Sequence, residues 1–223
     1  MAFKGFSKKT LPFLSAIKKN NNKEWFHENK KRYEKEVKEP FLALVDELIP
    51  EVRKMEPLVS TNPKDALFRI NRDIRFAKDK TPYHTLLKAG FSAEGKKSML
   101  PGFYLGMSAD SIHVGGGLFN LDGEGVKAIR NLIAEQTASF IEIVEQKEFK
   151  KLLGELKGER AKRLDKTLIP IQEKTAYIAN KQFYAMAEIP LKNYLNSNSI
   201  NEVIIDCFKV IYPLNQFLNQ GFK

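Results

Sequence analysis

Apolar residues recur at helical spacing along the first third of the chain. Leu14 and Ile17 share one side of a segment that Thr10 can cap, with Pro12 in its first turn, and the run Asn20-Asn21-Asn22 ends it. Asn22 can cap a second helix, in which Trp25, Asn29, Tyr33 and Val37 recur every fourth residue and so lie on one face. Pro40 opens a third helix with Phe41, Leu44, Val45, Leu48 and Val52 as its inward stripe, and Pro50 is expected to kink or end it.

The period then changes. Residues 66–70 and 85–93 read as strands, and residues 102–107 and 111–114 as a hairpin turning at Ala109-Asp110, which predicts an antiparallel meander. Asp122 can cap a helix carrying Val126, Ile129, Leu132 and Ile133 inward, and a second helical stretch passes through Phe140, Ile143 and Val144. Residues 154–174 are basic and weakly periodic, an irregular connection with room for one short strand, and residues 182–187 suit another. Ser199 is placed to cap a last helix, with Val203, Ile204, Cys207, Phe208 and Ile211 on one face before Pro213. Helices, then strands, then helices predict an α+β fold. The expectation is one domain over residues 1–223, with an antiparallel or mixed sheet from the middle of the chain and the N-terminal and C-terminal helices packed on it. No internal repeat, heptad array or low-complexity tract points to a solenoid or coiled coil.

Composition narrows this picture. With 223 residues, 43% of them hydrophobic, and sixteen Phe, the chain can fill one sizeable core and has little for a second. Its N-terminus lacks the apolar run of a secretory signal, and no stretch approaches the length of a membrane span, so a cytoplasmic protein without integral membrane association is expected. Cys207 is the only cysteine, which rules out an intrachain disulfide, and its helical spacing with Ile204, Phe208 and Ile211 suits a small buried hydrophobe better than a reactive thiol. The net charge of +10 favours phosphate-bearing partners, although lysines interleaved with Glu, as in residues 30–36, read as a solvated helix face.

The densest chemistry lies between Arg69 and Tyr83. Fifteen positions hold five cations (Arg69, Arg72, Arg75, Lys78, Lys80), two carboxylates (Asp73, Asp79), the Asn71 amide and the Tyr83 phenol. A guanidinium presents a planar fork of donors to phosphate or carboxylate, and Asp73 and Asp79 could hold neighbouring cations in fixed orientations. If the segment is extended, Arg69, Asn71, Asp73 and Arg75 share a face; if it is helical, Arg69, Arg72 and Arg75 form a stripe. Either geometry could converge arginines on one anion. The competing account is a structural network of ion pairs, which at a surface contributes little.

Arg69, Arg72, Asp73, Arg75 and Phe76, followed by Asp79, Lys80 and Tyr83, spell Arg-x-x-Arg-Asp-x-Arg-Phe and then Asp-Lys-x-x-Tyr. In this the chain resembles an uncharacterised, mainly bacterial family catalogued as a domain of unknown function. The likeness extends to Asn21-Asn22 with Trp25-Phe26, to Gly117-Leu118-Phe119, and to Tyr212-Pro213-Leu214 with Phe217-Leu218. It implies membership without supplying an activity. Where that pattern often has Lys after the tyrosine this chain has His84, whose charge would depend on pH.

Weaker constellations lie elsewhere in the chain. Asp73 with Glu94-Gly95-Lys96 imitates a nuclease metal spacing but falls in an apparent hairpin turn, a poor support for ligands. His27 and His113 lack zinc-spaced partners, Gly115-Gly116-Gly117 lacks the Lys-Ser/Thr ending of a phosphate loop and suits a tight turn, and Trp25, Phe26 and Tyr33 suit core packing better than base stacking. No metal site is therefore expected, and cofactor and oligomeric state are left open. The leading reading is a pocket for a small phosphorylated or carboxylated ligand. It is built from Arg69, Arg72, Asp73, Arg75, Asp79, Lys80 and Tyr83, with Asp73, Tyr83 or His84 as the groups that could perform acid or base chemistry if the ligand is turned over. The alternatives are a nucleic-acid-binding protein with a broad basic surface, and an interaction module in which the motif is an ion-pair network.

Overall fold

The computed structural model describes residues 2–59, 62–93 and 95–222. Helix α1 (Thr10–Lys19) is followed by α2 (Lys23–Glu28), α3 (Lys30–Tyr33), a π turn at Glu34–Lys38, and α4 (Glu39–Met55). Asn22 caps α2 as expected, its Oδ1 accepting the Trp25 N–H at 2.9 Å. Thr10 does not cap α1. It lies inside the first turn, fully buried, and Lys9 holds the cap position without a side-chain bond. The reason lies in a distant proline: Pro40 has no N–H to give the Glu36 carbonyl four residues earlier, and the Thr10 hydroxyl donates to that carbonyl instead, at 2.7 Å. The ladder widens into the π turn at the same place.

The inward stripe of α4 is as predicted, with Phe41, Leu44, Val45, Leu48 and Val52 all removed from solvent. Pro50 does not end this helix, which continues to Met55. Val52 beyond it is anchored in the core, which carries the helix past the proline.

The strand expected at residues 66–70 is reduced to a single bridge. Asn62 caps a proline-led turn, α5 (Pro63–Ala66), accepting from the Lys64 and Asp65 N–H groups, and this turn takes up Ala66. Only Leu67 then pairs, opposite Ala89, with the Phe68 N–H donating to the Lys88 carbonyl at 2.8 Å. The sheet consists of β1 (Leu87–Phe91), β2 (Gly102–Met107), β3 (Ser111–Leu118) and β4 (Phe183–Pro190), antiparallel throughout and in the order β1-β2-β3-β4. Between β3 and β4 run α6 (Gly123–Glu135), capped by Asp122 through the Gly125 N–H, then α7 (Thr137–Glu145), α8 (Lys147–Leu153) and the short α9 (Ile169–Gln172). Residues 154–174 also touch the sheet edge, where Lys157 bridges to Tyr184.

Helix α10 (Ile200–Asn219) lies across the inner face of the sheet. Phe208 sits edge-on to Phe91 and tilted against Phe103, with ring centroids 5.9 and 4.9 Å away. Ser199 makes no capping bond to the helix, its hydroxyl being paired with that of Ser197 at 2.8 Å. Pro213 does not stop the helix either, because the carbonyl it orphans belongs to exposed Lys209 while Leu214, Phe217 and Leu218 continue the buried stripe. Gly115-Gly116-Gly117 is not a turn but the middle of β3. A Cβ on Gly116 would strike the Gly102 carbonyl oxygen and crowd Ile211 and Asn215 of α10 at 3.3 Å, so glycine there permits the close approach of the helix. Cys207 is buried in this interface, and burial pushes its thiol up to about 11. No helix among the described residues is long and apolar enough to cross a membrane.

Thr10→Val keeps the volume and removes the hydroxyl that serves the Glu36 carbonyl. Unfolding in urea should show a loss of about 1–3 kcal/mol, the cost of leaving a buried acceptor unpaired.

Candidate functional site

Residues 69–84 leave the sheet edge and fold back as an irregular hairpin. Its neck is closed by a bridge between Asn71 and Tyr83, with the Arg72 N–H donating to the Pro82 carbonyl at 2.9 Å and the His84 N–H to the Ile70 carbonyl at 2.8 Å. The neck is fixed to the helical layer by Asn21. Its Nδ2 donates to the Tyr83 carbonyl at 2.8 Å and its Oδ1 accepts the Tyr83 N–H at 3.0 Å, so one side chain satisfies both polar groups of that peptide as a neighbouring strand would. The Tyr83 ring is buried and stacks on Phe26, centroids 4.1 Å apart. The two sequence features at residues 21–26 and 69–83 thus meet in space.

Within the loop most charges are already spoken for. The Arg72 Nη1 donates to Asp79 Oδ2 at 2.6 Å, to the Thr81 carbonyl at 3.0 Å and to the Thr81 hydroxyl. Asp79 also accepts the Thr81 N–H, and this bond, followed by that from Arg72, holds its carboxyl down at about 2. Arg75 grips Asp73 through two bonds, Nε to Oδ1 at 3.0 Å and Nη2 to Oδ2 at 2.7 Å, which hold the Asp73 carboxyl below the usual carboxylate range. Lys80 donates to the Ile74 carbonyl at 3.0 Å, closing the tip from inside. Phe76 stands there 96% exposed. The segment is therefore neither strand nor helix, and Arg69, Arg72 and Arg75 do not form a row. Of the five cations singled out in the sequence, Arg69 and Lys78 make no hydrogen bond or ion pair among the described residues, and Lys78 stands exposed near the tip.

Arg69 belongs to a different group. His84 is pulled below the ordinary histidine range by burial first and then by the positive charges of Lys88, Arg72 and Arg69. Lys88 projects from β1, and burial pulls it down from the ordinary lysine range. Its Nζ lies 5.7 Å from the centre of the Phe68 ring, and the Lys96 Nζ lies 5.8 Å from the same ring while donating to the Leu67 carbonyl at 2.7 Å. Neither lysine has a carboxylate partner among the described residues.

Lys88 and Lys96 line a cavity of about 540 Å³ over the outer face of the sheet, the face turned away from α10. Gly90, Gly102 and Gly117 contribute no side chain to it, and Tyr104, Tyr184 and Met186 rise around them. Burial pushes the Tyr104 phenol up to about 12. His113, on the same face, is 3.1 Å from the Ser111 hydroxyl and 3.4 Å from Glu188. A second concavity of about 690 Å³ is an open trough beside α2, in which Glu24 and Glu28 face Lys23, His27 and Lys30, so it gathers little net charge. The sequence reading does not single out Lys88, Phe68, Tyr104, Tyr184 or Met186 as site residues, and takes Lys96 only as part of the nuclease-like spacing with Asp73 and Glu94. The signal was there in the alternation Lys88-x-Gly90, Tyr104-x-Gly106, His113-x-Gly115-x-Gly117 and Tyr184-x-Met186, a second face at strand period. Glu94 lies outside the described residues, and among the described residues no cluster of three or more His, Cys, Asp or Glu could hold a metal ion.

An open antiparallel meander with its helices on one face, and a clamped basic loop leading to a cavity on the other, defines an α+β protein with a candidate ligand site. The chain belongs to the DUF2461 family of conserved hypothetical proteins, whose model matches residues 9–217 and so takes in the loop, the sheet and most of α10. No curated protein matches the chain.

The clamp has a pH signature. The Asp79 pKa is lowered from 3.8 to about 2 in the folded protein, so its contribution to stability is complete above the unfolded value and disappears as pH falls from about 4 to about 2. Urea unfolding of Asp79→Asn should therefore show lower stability than wild type at about pH 6 and a shallower decline through the acid window.

Proposed function

We propose that the protein binds a small phosphorylated or carboxylated molecule at the cations around the β1 edge of the outer sheet face: Arg69, His84, Lys88 and Lys96. The observation that carries this reading is the division of charge. Arg72 and Arg75 are paired with Asp79 and Asp73, whereas Lys88 and Lys96, which share the Phe68 ring, have no carboxylate partner among the described residues, and Arg69 forms no ion pair there, its charge acting on His84 and more distantly on Asp73. Uncompensated like charges, one of them half-buried, raise the energy of the empty site, and an anion relieves it. The remaining motif residues serve as scaffold: Arg72, Asp79 and Lys80 hold the loop closed, Arg75 and Asp73 brace its tip, and Tyr83 anchors its neck. Of Asp73, Tyr83 and His84, the last stands among the free cations, and its lowered pKa keeps it neutral and able to accept a proton from a bound substrate.

One observation favours a second reading. Phe76 at the loop tip, flanked by Arg75 and Lys78 on a chain of net charge +10, could stack on a base of a nucleic acid.

Thermal-shift measurements with inorganic phosphate, sugar phosphates, dicarboxylates and short oligonucleotides separate the two. A small anion at a hundred times its dissociation constant should stabilise wild type by about 2.7 kcal/mol. The same anion should have little effect on Arg69→Gln or Lys88→Gln, and the His84 titration followed by NMR should move upward when it binds. Equal responses from wild type and both variants would refute the site. A response to oligonucleotides alone, steeply lost with salt and lost in Phe76→Ala, would favour the second reading.

A further inference from the structure

We infer that the ligand carries a planar aromatic ring beside its anionic group, the anion held at Lys88 and Lys96 and the ring laid on the glycine-paved outer face of the sheet between Tyr104 and Tyr184. This rests on the anion reading above and names the substrate class: aryl phosphates or aryl carboxylates, nucleoside monophosphates included.

Size is the first reason. A cavity of about 540 Å³ is in the range that encloses an organic molecule and is far larger than a phosphate or a short dicarboxylate requires. It reaches from β1 to β4, three interstrand gaps or about 14 Å, so an anion at Lys88 leaves most of the floor uncovered.

The shape of the floor is the second. In register, Gly90 lies beside Tyr104, Tyr104 beside Gly115 and Gly115 beside Met186, while Gly102 lies beside Gly117 and Gly117 beside Tyr184. Tyr104 and Tyr184 therefore stand as walls beside Gly102 and Gly117, where no side chain rises into the cavity, while Gly90 lies beneath Lys96. Such a surface offers a flat contact to the face of a ring, with Met186 supplying a polarisable sulfur and Tyr184 an aromatic edge or face.

Polarity is the third. Among the residues that line the cavity the two lysines stand at the β1 end, where Lys88 and Lys96 flank Phe68. At the other end Phe119, 62% exposed, meets Tyr184 edge to face with centroids 5.1 Å apart, an aromatic pair left open at the rim. Between them the Tyr104 hydroxyl, packed over Gly106, has no hydrogen-bond partner among the described residues and remains a donor for a ring substituent or for the anion.

Titration calorimetry with matched probes tests the inference: inorganic phosphate, hexyl phosphate and phenyl phosphate, then acetate and benzoate. Wild type should bind phenyl phosphate about tenfold or more tighter than phosphate or hexyl phosphate, and benzoate similarly over acetate, as an aromatic contact beyond simple burial allows. Phe119→Ala, at an exposed position, and Tyr184→Leu should remove most of that advantage and leave phosphate binding unchanged. Lys88→Gln should weaken every probe. If phosphate, hexyl phosphate and phenyl phosphate bind equally and all depend on Lys88, the ring is refuted and the anion site stands. If hexyl phosphate matches phenyl phosphate and both exceed phosphate, the cavity takes an alkyl chain and the ring is again refuted. If no probe binds, or binding is indifferent to Lys88→Gln, both readings fall.

Discussion

The sheet is covered by helices on one side only, and the rest of the molecule follows from how closely α10 lies against that side. Gly116 makes the approach possible, because any side chain there would meet α10 at Ile211 and Asn215. Asn215 then donates to the Gly102 carbonyl at 3.1 Å, tying the helix to the middle of the sheet, and Phe208 fills the space between Phe91 and Phe103. Each large side chain buried this way is favoured by about 1.5–3 kcal/mol over leaving it in water. The N-terminal helices pack against the same layer through contacts between α4 and α10. Among the described residues no such layer covers the outer face, where the cavity is bordered by segments before β1, between β1 and β2, and after β3.

The basic loop answers a problem set by that geometry. A chain leaving the sheet edge has few backbone partners, and the loop supplies them from side chains. Asn21 replaces a neighbouring strand for Tyr83, Arg72 gathers Asp79 and Thr81, and Lys80 takes carbonyls at the tip. Much of the density of charge in residues 69–83 is thereby explained as architecture. What architecture does not explain is the set of cations left over. Arg69 and Lys88 act on a neutral-leaning His84 and neither forms an ion pair among the described residues, whereas Arg72 and Arg75 of the same loop are closely paired.

The helical stripes and the meander were legible because they depend on spacing within one segment: Phe41 to Val52 shows its period locally, and so does the hairpin turning at Ala109-Asp110. The error at Thr10 involves a partner distant in sequence. Thr10 looks like a cap until the carbonyl orphaned by Pro40 is known to lie beside it. Pro50 and Pro213 look like helix ends, yet buried side chains beyond each of them, Val52 and Leu214, carry the helix on. The motif was visible as a concentration of chemistry, but which of its cations are free depends on whether Asp79 folds back on Arg72 across seven residues. Lys88 and Lys96 were invisible as a pair because only the fold places both on one ring.

Glycine ties these levels together. A Cβ on Gly115 would collide with the Ala185 carbonyl oxygen, and one on Gly117, whose φ is +111°, with that of Phe183. The bare floor of the outer face is thus imposed by the approach of β4 to β3, as the bare inner surface at Gly116 is imposed by α10. A floor fixed by the backbone on both sides cannot be reshaped by substitution without loosening the sheet. Discrimination among ligands then falls to the residues that stand around it, Tyr104, Tyr184 and Met186 for shape and Lys88 and Lys96 for charge, each of which can change without disturbing the pairing beneath.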